Sequence, residues 1–339
     1  PLTCGYLGET LDWSYGFLAA GIGIVLGAVV FWRNMRDYED KGVPPDMDLL
    51  TRPWIAGINR NTAVILGTLL SVPLFALLLN QEMVVDWLLI AAGVIIIGYL
   101  VMTSMTLKDR AQGMQLLVVV VLFFFHMVFW TLFEQAGGSL TIFTERNVHH
   151  FNDPADPSSG IPTSQFQAVN PFYIMVLAPV FSWIWIRLRR LNIEPRTPTK
   201  FVLGLLQMAA GYAVIVWGAK SFATDGVVPL AFLMIMYLLH TTGELSLSPV
   251  GLSVVTKLSP PKAVGFVMGA WFLSIAFAHK IAGKLGEMTA APEEVTDPQE
   301  TLAIFTNVYW IWGVLVVLGS AVLLLLLTPI LKKWMHGIH

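Results

Sequence analysis

Residues 114–143 read MQLLVVVVLFFFHMVFWTLFEQAGGSLTIF, an apolar run that contains a single carboxylate, Glu134. The run exceeds the roughly 20 residues that a helix needs to cross a bilayer. Inside hydrocarbon a charged side chain costs about 2.5–3.5 kcal/mol or more unless it is paired, protonated or facing a wet cavity. If this run lies in a membrane, Glu134 therefore indicates a functional site.

The composition indicates that the run does lie in a membrane. The chain is 56% hydrophobic and 12% charged, whereas an average soluble domain is about 25% charged. Its formal charge of -2 excludes an electrostatic platform for nucleic acid. The lone Cys4 gives neither an intrachain disulfide nor a metal-binding spacing.

Apolar stretches of spanning length recur along the chain and predict nine transmembrane helices. The predicted spans cover residues 14–32, 61–79, 87–107, 114–143, 171–188, 201–219, 228–256, 263–289 and 303–331. The predicted fold class is therefore an all-α, polytopic membrane protein. Because the chain opens at Pro1 without an initiator Met, we expect it to be a piece of something longer.

The distribution of basic residues predicts the orientation of the spans. If the spans alternate, one side holds only Arg146 and Lys220. The opposite side holds the basic residues around 33–60, 108–110, 187–200, 257–262 and 332–333. By the positive-inside rule this second side faces the cytoplasm, and with it the C-terminus.

The fourth predicted span carries its polar side chains on one face. Residues three and four apart on a helix are neighbours, and this spacing groups His126, Trp130, Phe133, Glu134, Gly137 and Thr141. Aromatic rings beside a carboxylate suit a cavity that binds an amine. A structural alternative is that Glu134 forms a buried hydrogen bond between helices.

The seventh predicted span repeats this arrangement with Thr241, Glu244, Ser248 and Gly251 on one face. It offers a second buried carboxylate. Pro249 lacks a backbone donor, so we expect a bend beside the carboxylate. The bend could serve as a gate, or it could be an ordinary proline kink without a switching role.

Other predicted spans contribute weaker candidates. Asn170 before Pro171 fits a helix start as N-cap and N1, and its amide could also face a cavity. In the eighth span, Trp271 is a polar-capable position, and core packing is the simplest role for Ser274. The Gly265 to Gly269 spacing there allows a close helix contact. For Lys280 and Lys284 in the same span we expect snorkelling or pairing with Glu287.

Four segments together resemble one known family. They are CGYLG at 4–8, FWTLFEQAG at 129–137, QAVNPF at 167–172 and GELSLSPVGLS at 243–253. They are similar to the proton-dependent oligopeptide transporter family of the major facilitator superfamily, from the end of its fifth helix to its twelfth. The resemblance implies three parts: the end of an N-terminal bundle with the sixth helix at 1–36, a linker with an inserted helical hairpin at 37–113, and a six-helix bundle of helices seven to twelve at 114–339.

The resemblance also implies roles for individual residues. Glu134 matches the position that couples protons and contacts substrate. Asn170 and Glu244 match positions that receive the amino end of a peptide. It further implies that four residues line the pocket: Trp130, Phe133, Ser248 and Trp271. Glu145 resembles a gating position, and the bend at Pro249 is a second candidate gate.

The expected function is proton-coupled import of di- and tripeptides by alternating access, with the proton as coupling ion and no cofactor or metal. By the resemblance, the family's first-helix motif of two glutamates and an arginine, and its fourth-helix lysine, are expected upstream of Pro1, so this chain is expected to supply the acidic half of a site for a zwitterion. An alternative cargo is nitrate, another small solute or a peptide-like drug. An enzyme is disfavoured because Ser248 and Ser139 have no histidine on their helix face.

The expected partners are the di- or tripeptide, protons and the lipid bilayer, with no nucleic acid and a monomeric state. The expected location is the bacterial inner membrane, a plasma membrane crossed several times.

Overall fold

The structure is a computed structural model that describes residues 1–38, 46–55, 57–78, 80–151, 160–290 and 297–338. Within these ranges, nine segments are helical, long and apolar enough to span a membrane, which confirms the predicted number. They are Trp13–Arg33, Arg60–Leu78, Glu82–Thr106, Arg110–Gly137, Thr163–Arg190, Thr197–Phe222, Leu230–Leu258, Val264–Thr289 and Pro298–Trp334. Residues 39–45, 56 and 79 of the predicted linker lie outside the described residues.

The chain is almost entirely helical. Its helices are α1 (Cys4–Thr10), α2 (Trp13–Arg33), α3 (Met47–Thr51), α4 (Arg60–Leu78), α5 (Glu82–Thr106), α6 (Arg110–Phe133), α7 (Ser139–Asn147), α8 (Thr163–Phe166), α9 (Val169–Arg190), α10 (Thr197–Phe222), α11 (Leu230–Leu258), α12 (Val264–Thr289), α13 (Pro298–Val308) and α14 (Val317–Trp334). A π-helical stretch, Tyr309–Val316, joins α13 to α14. Two short strands, β1 (Pro53–Ile55) and β2 (Ile58–Asn59), pair antiparallel.

Aspartates start several of the long helices. Each accepts a hydrogen bond from a backbone N–H that has no partner within the helix. Asp12 caps α2 through Ser14 N at 2.8 Å, and Asp109 caps α6 through Ala111 N at 2.9 Å. The hydrogen bond from Ser14 also lowers the pKa of Asp12. The cap at Asp109 starts α6 before the predicted apolar run begins.

The core lies among α6, α10, α11, α12 and α14. In the most apolar part of α6 and of α10, 61% of the residues are buried, against none in α4 or in the α8–α9 segment. Small residues bring two of these helices together. A Cβ on Gly243 of α11 would lie 2.9 Å from the carbonyl oxygen of Gly204 in α10. Gly265 and Gly269, whose spacing would allow a close contact, do not make one with the described residues, because neither has a neighbour within 4 Å of its Cβ position.

Helices α4 and α5, which the resemblance predicts to be an inserted hairpin, are attached to the bundle through α5. Lys280 of α12 forms an ion pair with Asp86 of α5 at 2.8 Å. Nearby, the ring of Phe277 fills the space above Gly93 of α5. Of the two lysines for which pairing with Glu287 was considered, Lys280 is therefore paired elsewhere, and Lys284 forms the ion pair with Glu287 at 2.9 Å.

One buried amide ties the connections at one end of the bundle together. Asn147, the last residue of α7, is fully buried. Its amide nitrogen donates to the carbonyl oxygens of Gly226 at 2.9 Å and Pro298 at 2.8 Å. Its amide oxygen accepts from the hydroxyl of Thr301 at 3.3 Å. The end of α7, the α10–α11 connection and the start of α13 are thereby fixed to each other.

The connection between α9 and α10 is held by charges. Glu194 accepts from Arg189 Nε at 2.7 Å and from Lys200 Nζ at 2.6 Å. The ammonium of Lys200 also lies 4.6 Å from the centre of the Trp185 ring. The hydrogen bond from Arg189, and after it the contact with Lys200, lowers the pKa of Glu194 to about 2.

We expect Glu194→Gln to lower the melting temperature of the detergent-solubilised protein at neutral pH, with the difference from wild type vanishing in acid. A carboxylate with a depressed pKa stabilises the folded state above its unfolded pKa, and this stabilisation is lost as the pH falls through the folded pKa. The window therefore runs from about 4.5 down to about 2. Glu287→Gln, in the exposed pair with Lys284, serves as the control with a small effect. A Glu194→Gln difference that stays constant throughout that window would contradict the assignment.

Candidate functional site

Glu134 lies where the fourth span changes its helical form. The α-helix α6 ends at Phe133, and Glu134–Gly137 form a 3-10 turn before α7 begins at Ser139. The α-helical spacing that predicts a shared face therefore applies as far as Phe133. After Phe133 the tighter 3-10 turn changes the direction in which successive side chains point. The Glu134 side chain is 29% exposed, and its Oε2 lies 3.8 Å from Nδ1 of His279 on α12.

The turn is held in place by its buried second residue. Gln135 is 2% exposed, and its amide nitrogen donates to the carbonyl oxygens of Thr131 at 3.2 Å and Ala282 at 3.1 Å. Its amide oxygen accepts from the Ser139 hydroxyl at 2.6 Å. Because these bonds join α6, α12 and α7, the backbone that presents Glu134 has one fixed position.

Aromatic rings flank this carboxylate on α6, as the sequence predicted. The rings of Trp130 and Phe133 meet edge to face with their centres 5.0 Å apart. Phe133 also stacks on Phe129 at 5.8 Å. Trp130 and Phe133 are both half-buried, and Phe129 is buried behind them.

The second predicted carboxylate is joined to α9. Asn170 donates from its amide nitrogen to Oε2 of Glu244 at 3.0 Å and to Oγ1 of Thr241 at 3.0 Å. The predicted role of Asn170 as a helix N-cap is wrong, because α9 already begins at Val169 and Ala168 occupies the cap position. The amide instead connects α9 to the polar face of α11.

The structure brings the two predicted carboxylates into one region. Both side chains are only partly buried, Phe133 directly precedes Glu134, and Asn170 is bonded to Glu244. Next to them is a cavity of about 170 Å³ between α6, α9 and α11. Its lining includes Phe133, Gly137 and Asn170. Two acidic groups, an amide and aromatic faces can together bind a cationic amine.

The other predicted site residues lie farther from this region or deeper in the bundle. Ser248 is half-buried on α11. Trp271 is 1% exposed and packs against Phe123 with ring centres 5.3 Å apart. The predicted pocket-lining roles of Ser248 and Trp271 stay predictions.

The two predicted gating residues border separate cavities. Glu145 is exposed on α7 and faces a cavity of about 1180 Å³, which Glu9 and Trp13 also line. Pro249 lies within the continuous helix α11 and borders a cavity of about 580 Å³ beside Lys200. Their gating roles also stay predictions.

His279 is the site residue that the sequence analysis missed. A signal for it was present, because an ionisable side chain inside a predicted span is itself a mark of function. Among the ionisable side chains of that span, only Lys280, Lys284 and Glu287 carried an expectation. Among the described residues no group of three or more His, Cys, Asp or Glu side chains could hold a metal ion.

The spanning helices, with polar groups enclosed between them, are those of a multi-pass membrane protein. Its fold is that of the major facilitator superfamily. The family model described as the POT family matches residues 1–311. The chain belongs to this family, the proton-dependent oligopeptide transporters, as the sequence resemblance predicted.

Individual relatives agree with the family assignment. The chain is 32% identical to dipeptide and tripeptide permease A of Edwardsiella piscicida, covering 99% of this chain and 66% of the relative. It is 34% identical to the peptide transporter YePEPT of Yersinia enterocolitica subsp. palearctica, over 97% of this chain and 64% of that protein. The chain therefore spans about 65% of the length of these relatives.

Solved structures give the same result. A crystal structure of peptide transporter POT in complex with sulfate matches with a TM-score of 0.74 and 27% identity, over 99% of this chain and 65% of that one. A mutant of peptide transporter POT in complex with alafosfalin matches with a TM-score of 0.75 and 27% identity, over the same shares.

Proposed function

We propose that this protein is a symporter that uses a proton gradient to import di- and tripeptides by alternating access. The observation that carries the proposal is the acidic pair in one partly exposed region, Glu134 beside His279 and Glu244 held by Asn170. In this proposal Glu134 is the proton site. Glu244 and Asn170 receive the peptide's amino group, and Trp130 and Phe133 contact its side chains.

The same geometry argues against two other functions. Two carboxylates disfavour a small anion such as nitrate, because like charges repel in a poorly screened site. Catalysis has little support, since the hydroxyl of Ser139 is bonded to Gln135 and Tyr309 rather than to a base. A peptide-like drug remains a reasonable second cargo, because a related transporter was crystallised with alafosfalin.

The proposal extends to location and partners. We place the protein in the bacterial inner membrane with a cytoplasmic C-terminus, on the strength of its basic connections and of its relatives in bacteria. The coupling ion is the proton, and no further cofactor is part of the proposal. The protein acts as a monomer in the lipid bilayer and does not bind nucleic acid.

Counterflow in proteoliposomes tests the cargo. The whole protein is reconstituted into liposomes. The proteoliposomes are loaded with unlabelled dialanine and then diluted into buffer that contains labelled dialanine or labelled nitrate. We expect labelled dipeptide to enter above the level of protein-free liposomes and nitrate not to enter. N-acetylated dialanine, which lacks the cationic amine, should not compete. Exchange of nitrate without exchange of dipeptide would overturn the proposed cargo, and full competition by the acetylated peptide would remove the amine-binding role of the carboxylates.

A further inference from the structure

A chain of hydrogen bonds crosses the apolar interface between α6 and α12. The indole nitrogen of Trp130 donates to Nε2 of His126 at 2.8 Å. On the other side of the ring, Nδ1 of His126 lies 2.8 Å from the hydroxyl of Ser274. That hydroxyl donates to the carbonyl oxygen of Trp271 at 2.6 Å. His126 is 3% exposed and Ser274 is 6% exposed.

The donors and acceptors of this chain define one arrangement of protons. An indole N–H can only donate, so Nε2 of His126 must be the nitrogen without a proton. The proton then resides on Nδ1 and is donated to the Ser274 oxygen, whose own hydrogen is used on the Trp271 carbonyl. With a neutral imidazole, every polar atom of this hydrogen-bond chain has a partner. A second proton on Nε2 would face the indole N–H and break the bond.

The imidazole is itself held in place by its surroundings. Its ring centre lies 4.1 Å from that of Trp271, which is buried beneath it. Trp130, in contrast, is only half-buried and stands at the edge of the site. The hydrogen-bond chain is therefore fixed in the core at its Trp271 end. Its other end is the Trp130 ring, which can turn and which reaches the site.

We propose that His126 is a positioning residue: by accepting the indole N–H it holds the Trp130 ring in the orientation that lines the site beside Phe133 and Glu134. The role in transport rests on the function proposed above. Without this acceptor the indole N–H would be unpaired in a poorly hydrated place, and the ring would turn to find another partner. The substrate would then meet a surface that is not preformed.

The hydrogen bond can be tested without transport. In protein labelled with 15N-tryptophan, the Trp130 indole resonance is the one that disappears in Trp130→Phe. We expect this resonance to shift and to exchange faster with solvent in His126→Leu. In His126→Gln, whose side-chain oxygen can accept the same proton, it should stay slowly exchanging. An unchanged Trp130 resonance in His126→Leu would overturn the proposal.

A double-mutant cycle tests the consequence for substrate. His126→Leu should raise the KM for dipeptide about 2- to 10-fold, the range expected for one neutral hydrogen bond, with a smaller change in the maximal rate. His126→Gln should restore most of the affinity. In a Trp130→Phe background, which has no indole N–H, His126→Leu should change the KM no further. Additive changes in KM would overturn the positioning role. A wild type that moves no dipeptide would instead overturn the proposed function, and the indole resonance would still decide whether His126 orients Trp130.

Discussion

We expect Glu134→Gln to abolish the accumulation of dipeptide driven by a proton gradient, reducing it to the level of protein-free liposomes, and to leave dipeptide exchange in place. Glutamine keeps the size of the side chain and its place in the 3-10 turn, which Gln135 anchors independently through its bonds to Thr131 and Ala282. It cannot take up or release a proton in the physiological range. The variant therefore separates binding from coupling.

The electrostatics around Glu134 explain why the effect should be large. The Glu134 carboxyl group lies 3.8 Å from the imidazole of His279. A neutral carboxyl group attracts a nearby cation far less than a carboxylate does. A transporter couples two ligands only if one of them changes the relative free energies of its conformations. With a neutral side chain at 134 the proton has no such effect at this site, whereas substrate still promotes exchange.

The measurement is uptake of labelled dialanine into proteoliposomes with an acidic exterior, alongside counterflow without a gradient. Glu287→Gln is the matched control, because it makes the same chemical change on α12 in an exposed pair with Lys284. The control should accumulate dipeptide like wild type. Gradient-driven accumulation that persists in Glu134→Gln would take the coupling role away from Glu134.

We expect Gly113→Val to destabilise the bundle strongly. Gly113 lies in the first turn of α6, against the end of α5, and any Cβ at this position would collide with the backbone carbonyl oxygen of Ser104. A backbone atom cannot rotate away as a flexible side chain can. The two helices must separate instead, and overpacking of this kind costs about 1–3 kcal/mol or more.

The same substitution at Gly98 on α5 gives a matched control. Gly98 is exposed, and no atom lies within 4 Å of its Cβ position. We expect Gly113→Val to lower the melting temperature and the yield of monodisperse protein in detergent, while Gly98→Val stays close to wild type. Equal melting temperatures for the two variants would mean that the contact between α5 and α6 is not tight in the protein.

Much of the site could be predicted from local sequence. Glu134, Trp130 and Phe133 lie within one helical turn of each other, so their proximity follows from chain geometry alone. The family resemblance supplied expectations for Asn170 and Glu244, although not the hydrogen bond between them. Their proposed roles still await the experiments above.

Contacts between distant helices could not be predicted in this way. His279 is paired with Glu134 across two helices, Lys280 with Asp86 rather than Glu287, and Asn147 with two other segments. Each pairing depends on how far one helix is rotated and shifted against another. A sequence pattern states which residues share a face, but it does not state which face the neighbouring helix presents.

The amino-acid sequence by itself determined the membrane class, the nine spans and the presence of carboxylates where hydrocarbon makes them costly. These properties depend on side-chain transfer energies and on the rise of a helix, which act residue by residue. Only the tertiary structure decided the 3-10 turn at Glu134, the partner of each buried polar atom and the hydrogen-bonded link from Trp130 to the core. These depend on the crossing of packed helices, where a buried donor must find an acceptor from whichever segment the fold places beside it.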